Sequence, residues 1–279
     1  MIKNNTPVED YIDAYGLWVK REDLCSPTPG PPFSKTRGVF AHLKKRPEHS
    51  IGVLDTFHSQ AGWAVAHACS VLGKKCINFY PEYKNDPGHR LPQDHAKDLG
   101  AKLVGLPAGR SAVLYHGAKK HLVDYYDQPY MMPNALKLDE TVEETAKEYL
   151  RTQAWFNSKG KSFSSVLIPS SSATIASGVI KGILESKYTK GMTPIVIIHL
   201  GYSRSKDAVY KYISQKVGAD LTELPLHIVD EGYQYKDKAS QKDIKPTWPC
   251  NEYYDLKAFQ WWMSKGIHDF RNTLLWNIG

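Results

Sequence analysis

Four short stretches carry residues whose types and spacing could do chemistry. In PPFSKTRGVFAHL, Pro31–Leu43, Lys35 follows a proline run and a small Ser34, and an apolar-periodic segment at Val39, Phe40 and Leu43 begins just after it. A lysine where a Pro-rich loop runs into a helix reads either as an ordinary helix-start residue or as a reactive amine. In IPSSSATIASGVIKG, Ile168–Gly182, small hydroxyl residues follow an apolar run and open a helical pattern. Such a turn lets backbone approach a ligand, and a helix start adds free N–H groups and partial positive charge, which makes a phosphate cup. The plainer alternative is a Ser-rich helix cap. Neither GxxxxGK[ST] nor GxGxxG is present, so this is neither a Walker loop nor a dinucleotide fingerprint. In DTFHSQAGWAVAHACSVLG, Asp55–Gly73, Ser59 and Gln60 stand where helix N–H groups converge, a place for a carboxylate or a simple N-cap. His58 beside them is a catalytic candidate or a hydrogen-bonded loop residue. In PCNEYYDLKAFQWW, Pro249–Trp262, the run Tyr253-Tyr254-Asp255 precedes a helix that Asp255 could merely cap, and Trp261 and Trp262 suit a core or an interface.

The elements that must position these residues alternate along the chain. Short apolar runs predict strands at Ile51–Thr56, Lys75–Tyr80, Ala101–Leu106, Ser164–Pro169, Ile195–Leu200, Leu226–Val229 and Thr273–Ile278. Between them, helical periodicity predicts helices over Ser59–Gly73, His89–Gly100, Ser111–Tyr126, Thr141–Phe156, Thr174–Ser186, Lys206–Val217 and Leu256–Lys265. Apolar β-branched strands alternating with helices predict an α/β fold of mainly parallel sheets covered by helices. Breaks at Met132–Asn134 and Ser158–Lys161 mark candidate boundaries. The expected division is a small domain over 45–135 and a large one built from both chain ends, 1–44 and 136–279. No internal repeat or low-complexity linker interrupts the pattern.

Bulk properties narrow the class. The 279 residues, 42% hydrophobic and 23% charged, suit a soluble globular protein with a substantial core. No apolar run approaches the roughly 18 residues of a membrane span. The polar, acidic start MIKNNTPVEDYIDAYG does not read as a signal or transit peptide. Cys25, Cys69, Cys76 and Cys250 lack CxxC spacing, so free thiols in a reducing cytoplasm are expected, with no metal site. A net charge of +7 permits attraction to nucleic acid without demonstrating it.

Taken in order, the motifs resemble the fold type II pyridoxal phosphate enzymes, of tryptophan synthase beta-like architecture. The branch most similar is aminocyclopropane-carboxylate deaminase and D-cysteine desulfhydrase. Trp18–Leu24 reads WVKREDL like that branch's N-terminal strand. SKTRGVF is similar to the segment holding its Schiff-base lysine. HSQ followed by Leu72–Cys76, Ser171–Thr174, GYSRS at Gly201–Ser205 and Tyr254-Asp255-Leu256-Lys257 match further motifs in family order, and WNIG matches the last in part. The resemblance implies two lobes and pyridoxal 5'-phosphate as cofactor. It implies that Lys35 forms the Schiff base and shuttles protons. Ser171, Ser172, Ala173 and Thr174 would hold the phosphate, and Asp255 the pyridine nitrogen. Gln60 would touch both the cofactor and the substrate, Ser59 would take the substrate carboxylate, and Tyr254 would act as acid, base or stacking group. It further implies a homodimer, which the aromatic C-terminal segment Phe259, Trp261 and Trp262 would also suit, and the cysteine pattern places the protein in the cytoplasm. Ser34, Trp63 and a cup without glycine depart from the family pattern, so the cofactor residues are kept while the substrate wall differs.

The expected function is a lyase or deaminase acting on a small α-amino acid through an external aldimine and a carbanion. Two alternatives stand beside it. One is an enzyme of the same type, for example a decarboxylase, acting on an amino acid attached to a hypermodified thymine in bacteriophage DNA. The other is a non-catalytic relative.

Overall fold

The computed structural model describes residues 2–85, 88–186, 193–240 and 242–279, and they form two compact units. One comprises Ile2 and Ser26–Glu140, the other Lys3–Cys25 and Thr141–Gly279. The division differs from the expected one at its N-terminal side, where residues 26–44 go with the smaller sheet. The reason is helix packing. Val39, Phe40 and Leu43 share a buried cluster with Val65, Ala66 and Cys69, so the Lys35 segment joins the unit that holds Ser59 and Gln60.

In the first unit, α2 (Thr36–Lys44), β3 (Ser50–Leu54), α3 (Ala61–Leu72), β4 (Lys75–Glu82), α4 (Leu91–Asp98), β5 (Lys102–Pro107), α5 (Ser111–Tyr125) and β6 (Tyr130–Met131) follow one another. The sheet runs β5-β4-β3-β6 and all its pairs are parallel. Successive strand side chains leave on opposite faces. Ile51 and Val53 meet α2 and α3, whereas Leu54, Ile77 and Phe79 meet Leu114, Ala118 and Leu122 of α5. The central β3 and β4 are buried on both faces, which is why they read as apolar runs and not as alternating ones, whereas the edge strand β5 is only half-buried.

The second unit contains β1 (Val8–Tyr11), the single helical turn α1 (Ile12–Tyr15), β2 (Leu17–Arg21), most of α6 (Asp139–Ser158), β7 (Ser165–Ser170), α7 (Thr174–Ser186), β8 (Ile195–Leu200), α8 (Lys206–Val217), β9 (Leu226–Val229), α9 (Asp255–Trp261) and β10 (Thr273–Asn277). Its sheet runs β1-β2-β10-β7-β8-β9, with β1 antiparallel to β2 and the other pairs parallel. Val166, Ile168, Leu274 and Trp276 face α6 and α7. Leu167, Leu275 and Val19 face α9, whose Trp261 belongs to this core together with Trp262 just after it.

Three local features depart from the sequence pattern. The polar β1 and the two-residue β6 were not expected, being too short or too mixed in character to show a period of two. The helix expected over Leu256–Lys265 is regular only to Trp261 and continues through a wider π turn, Trp262–Gly266. Among the described residues no helix is long and apolar enough to cross a membrane, and no cluster of three or more His, Cys, Asp or Glu could hold a metal. All four cysteines are free thiols.

Candidate cofactor and substrate residues

Each unit carries its own set of the residues singled out above. In the first, Lys35 stands at the N-terminal end of α2, and Ser59 and Gln60 at that of α3. The Lys35 Nζ donates to the carbonyl of Ala135 at 2.7 Å. That carbonyl is presented by a turn in which Ala135 and Leu136 both adopt left-handed backbone, φ 58° and 49°. Non-glycine residues rarely do so, and such strain concentrates at functional sites. Lys35 is half-buried, and the Ala135 residue that accepts from it is exposed. Desolvation pushes the pKa down to about 7, with the Lys137 ammonium adding a smaller repulsive push in the same direction. A substantial fraction of this amine is therefore neutral near pH 7, the form that attacks a carbonyl.

The loop from β3 to α3 is organised by a carboxylate that the sequence reading passed over. Asp55 is fully buried, and its Oδ1 accepts the Gly62 N–H at 2.9 Å. Its Oδ2 accepts from Asn78 Nδ2 at 3.1 Å and Gln93 Nε2 at 3.2 Å, and Ser59 bonds it as well. Burial raises its pKa to about 6 against these donors. Glycine is required at 62, because a Cβ there would collide with Asp55 Oδ2 and Asn78 Nδ2. Ser59 Oγ accepts the Ala61 N–H at 3.0 Å, capping the helix start. The Gln60 Oε1 is buried with no hydrogen-bond partner among the described residues. A buried amide oxygen costs free energy unless a partner reaches it, which marks a place for a ligand donor.

In the second unit, β7 feeds α7 through Ser171–Ala173, and Ala173 takes left-handed backbone, φ 63°. Ser172 Oγ lies 3.0 Å from Thr174 Oγ1, which lies 3.1 Å from Tyr212 Oη. The Arg204 guanidinium donates to the Ser171 carbonyl, which puts a cation beside the cup. Small side chains, a helix start of 13 residues and a nearby guanidinium suit a phosphate dianion. Tyr254 bonds Ser171, so the late tyrosine and the cup are brought together, and burial drives its phenol pKa up. Gly201 makes room for that ring, since a Cβ there would collide with Tyr254.

Asp255 is fully buried at the start of α9. Its Oδ1 accepts the Ile278 N–H at 2.7 Å, and its Oδ2 has no hydrogen-bond partner among the described residues. Burial raises its pKa to about 7, with backbone N–H groups opposing and Asp23 adding like charge. It is more than the helix cap it could have been. Lys257, two residues on, donates to the Gly201 carbonyl at 2.6 Å and lies 4.2 Å from the Tyr233 ring centre. Arg204 and Lys257 both fall inside motifs quoted from the sequence, yet sequence alone gave neither a role. Their partners, the Ser171 and Gly201 carbonyls, are set by packing and not by spacing.

Each unit's residues suit part of a phosphorylated pyridine aldehyde. The first has an amine of lowered pKa and an amide oxygen without a partner among the described residues; the second has a buried carboxylate oxygen without such a partner and a hydroxyl cup at a helix start. Comparison with known proteins points the same way. Residues 3–239 match the family model described as "Pyridoxal-phosphate dependent enzyme". The chain is 50% identical over 287 residues to the "Glycyl-dTMP PLP-dependent decarboxylase" of Pseudomonas phage M6, with all of both chains covered. Among solved structures it is similar to an ACC deaminase homologue, with a TM-score of 0.76, 15% identity, and 100% of this chain and 90% of that one covered. It is also similar to a threonine deaminase from T.th., with a TM-score of 0.67, 16% identity, and 98% and 91% covered. At such identities these structures speak for the fold alone.

Proposed function

The chain belongs to the pyridoxal-phosphate-dependent enzyme family, and on that premise we propose that it decarboxylates an amino acid carried on a thymidylate. The observation that carries this reading is the half-identity, over its whole length, with a decarboxylase named for glycyl-dTMP. The lyase or deaminase reading on a free amino acid stands second. It is supported by likeness to deaminases at the level of fold, and fold does not carry chemistry.

Bound pyridoxal phosphate supplies an electron sink for the pair left when a bond at the substrate α-carbon breaks. The chain's own residues do the rest. Lys35 Nζ would hold the cofactor's aldehyde carbon until the substrate amine takes its place. Ser171, Ser172, Ala173 and Thr174 would bind its phosphate with the start of α7. Asp255 Oδ2, which has no hydrogen-bond partner among the described residues, would accept the N–H of the protonated ring nitrogen. Ser59 and Gln60 orient the substrate carboxylate, so that the bond from the α-carbon to the carboxyl carbon is the one that breaks. Lys35 Nζ, once released and with a pKa near 7 that lets it carry a proton at neutral pH, would deliver that proton to the α-carbon that carbon dioxide has left. Tyr254, held to Ser171 and with its phenol kept protonated, packs beside the cup as a fixed wall.

The test is product analysis. Cofactor-loaded protein given glycyl-dTMP is expected to release carbon dioxide and leave a nucleotide amine. Ammonia release from aminocyclopropane carboxylate or D-cysteine, without carbon dioxide from the nucleotide, would move the assignment to the second reading. A further prediction concerns pH. Capture of added pyridoxal phosphate needs neutral Lys35. Its rate is expected to climb about tenfold per pH unit below pH 7 and to level off above, whereas an ordinary lysine would keep climbing towards about 10.4. Stopped-flow absorbance at each pH checks this.

A further inference from the structure

The loops that follow β7 and β8 lie side by side in the second unit. The two strands are parallel neighbours, in register as far as Ser170 and Leu200. Open α/β sheets take their ligands at the carboxyl ends of such strands. The first loop is the cup, Ser171–Ala173, and the second, Gly201–Ser205, brings Arg204 to it. This second loop is tied down along its length. The Gly201 N–H donates to the Ser170 carbonyl at 2.9 Å, and the Gly201 carbonyl accepts from Lys257 Nζ at 2.6 Å. The Ser203 N–H donates to the Tyr233 carbonyl at 2.8 Å, and its hydroxyl to Asp230 Oδ1 at 2.7 Å. Ser205 accepts the Ala208 N–H at 3.2 Å and so caps α8.

Arg204 is half-buried, and its Nη1 donates to the Ser171 carbonyl. A guanidinium has five N–H donors. Among the described residues that carbonyl is the one hydrogen-bond acceptor it has, and no carboxylate pairs with it. The Asp230 carboxylate in the same turn is taken up by the Ser203 hydroxyl and by the backbone N–H groups of Gly232 and Arg204. The guanidinium thus reaches the cup with its charge uncompensated and with N–H groups to spare.

The cup has use for such a neighbour. It contains no glycine, and Ala173 makes its turn in left-handed backbone, φ 63°. Successive N–H groups around a left-handed residue form a concavity for anions. The Ser171 carbonyl, however, is a negative dipole at the edge of that concavity. A hydrogen bond from a cation blunts this dipole and leaves net positive charge beside the helix start.

We propose that Arg204 is a positioning residue of the phosphate cup, which acts through the Ser171 carbonyl to make this glycine-free loop attractive to a phosphate dianion. The inference rests on the assignment of the cofactor's phosphate to the cup, and not on which bond of the substrate breaks.

The test is titration of the cofactor-free protein with pyridoxal 5'-phosphate and, separately, with pyridoxal, which has the same ring and aldehyde but no phosphate. The visible band that each forms with the protein is the readout. Arg204→Met is expected to weaken pyridoxal phosphate roughly 10- to 100-fold, the range of a lost charge-assisted hydrogen bond, and to leave pyridoxal as it was. Arg204→Lys should recover part of the loss. The thermal midpoint of each cofactor-free variant reports that it is folded. Ser172→Ala, which removes a cup hydroxyl, should likewise weaken the phosphorylated aldehyde alone. Equal weakening of both aldehydes in Arg204→Met, no weakening of either, or a loss that Arg204→Lys does not lessen, overturns the role of Arg204. If Ser172→Ala is without effect as well, the phosphate does not bind in this cup, and the assignment beneath the proposal falls with it. Weakening confined to added thymidine 5'-monophosphate, with the cofactor bound as before, also overturns the role and gives Arg204 to the substrate's phosphate. Because binding is read without turnover, none of these results decides the decarboxylase reading, which stands or falls on carbon dioxide release.

Discussion

A Lys35→Ala protein is expected to show no visible absorption band after reconstitution with pyridoxal phosphate, and to lose turnover by roughly 10³-fold or more. Lys35 is assigned two tasks, and each alone has a large effect. On the proposed reading it would anchor the cofactor's aldehyde carbon and move a proton at the α-carbon, a contribution worth about 10²- to 10⁴-fold in its own right. The two separate on adding a small primary amine to the buffer. If proton transfer is what turnover chiefly misses, methylamine should restore part of the rate to the variant, even though it cannot restore a cofactor bound to protein. The alternative, a helix-start lysine of no special role, predicts an unaltered spectrum. A band that survives in Lys35→Ala would sink the assignment of this residue. The local structure favours the first outcome. A surface lysine donates to water, whereas this one donates to a carbonyl thrust out by two consecutive left-handed residues, and desolvation has already removed most of its hold on the proton. Removing Lys137 should raise the Lys35 pKa only modestly, because desolvation is the larger cause.

Much of this was legible in the sequence, for a physical reason. A parallel strand buried on both faces must be apolar throughout, so SVLIPS and IVIIHL announce themselves without an alignment. Helix starts announce themselves by small hydroxyl residues, which is how Ser59 and Thr174 were found at the ends of α3 and α7. Spacing could not reveal partners far apart in the chain. Asp55 looked like the tail of a strand, yet it joins Ser59, Gly62, Asn78 and Gln93. Asp255 looked like a helix cap, yet its oxygen is held by Ile278, 23 residues on. The β1 strand was missed because it is polar and has no period. It pairs at the sheet edge, where one side of a strand needs no apolar cover. Helix-start candidates such as Ser59 and Thr174 are thus those whose type is forced locally, and the hidden residues, such as Asp55, are those whose partners lie far along the chain.

Glu148→Ala is expected to be the most destabilising single change outside the cofactor residues, at about 3–5 kcal/mol, the cost of stranding one member of a buried ion pair. Glu148 is fully buried on α6 and meets the equally buried Lys20 of β2 at 2.7 Å. It also accepts the backbone N–H groups of Thr6 at 2.9 Å and Asn5 at 3.0 Å, and Arg151 reaches its outer oxygen at 2.9 Å. Alanine would leave Lys20 with only the Thr6 carbonyl, 2.6 Å away, and would release the chain entering β1. Urea unfolding followed by tryptophan fluorescence would show the lowered midpoint. A Lys20→Met, Glu148→Met double variant should recover the part of the loss that comes from the stranded ammonium, while the Thr6 and Asn5 N–H groups stay without their acceptor. If the double variant is as weak as the single, the Thr6 and Asn5 hydrogen bonds and not the ion pair are what hold this region. The pair also bears on the cofactor residues. Lys20 sits on β2 opposite Trp276 of β10, and the next pair is Arg21 with Asn277. The residue after Asn277 is Ile278, whose N–H holds Asp255. Loosening β2 should therefore loosen the carboxylate before it unfolds the unit, so cofactor affinity in Glu148→Ala should fall at urea concentrations where fluorescence still reports a folded protein.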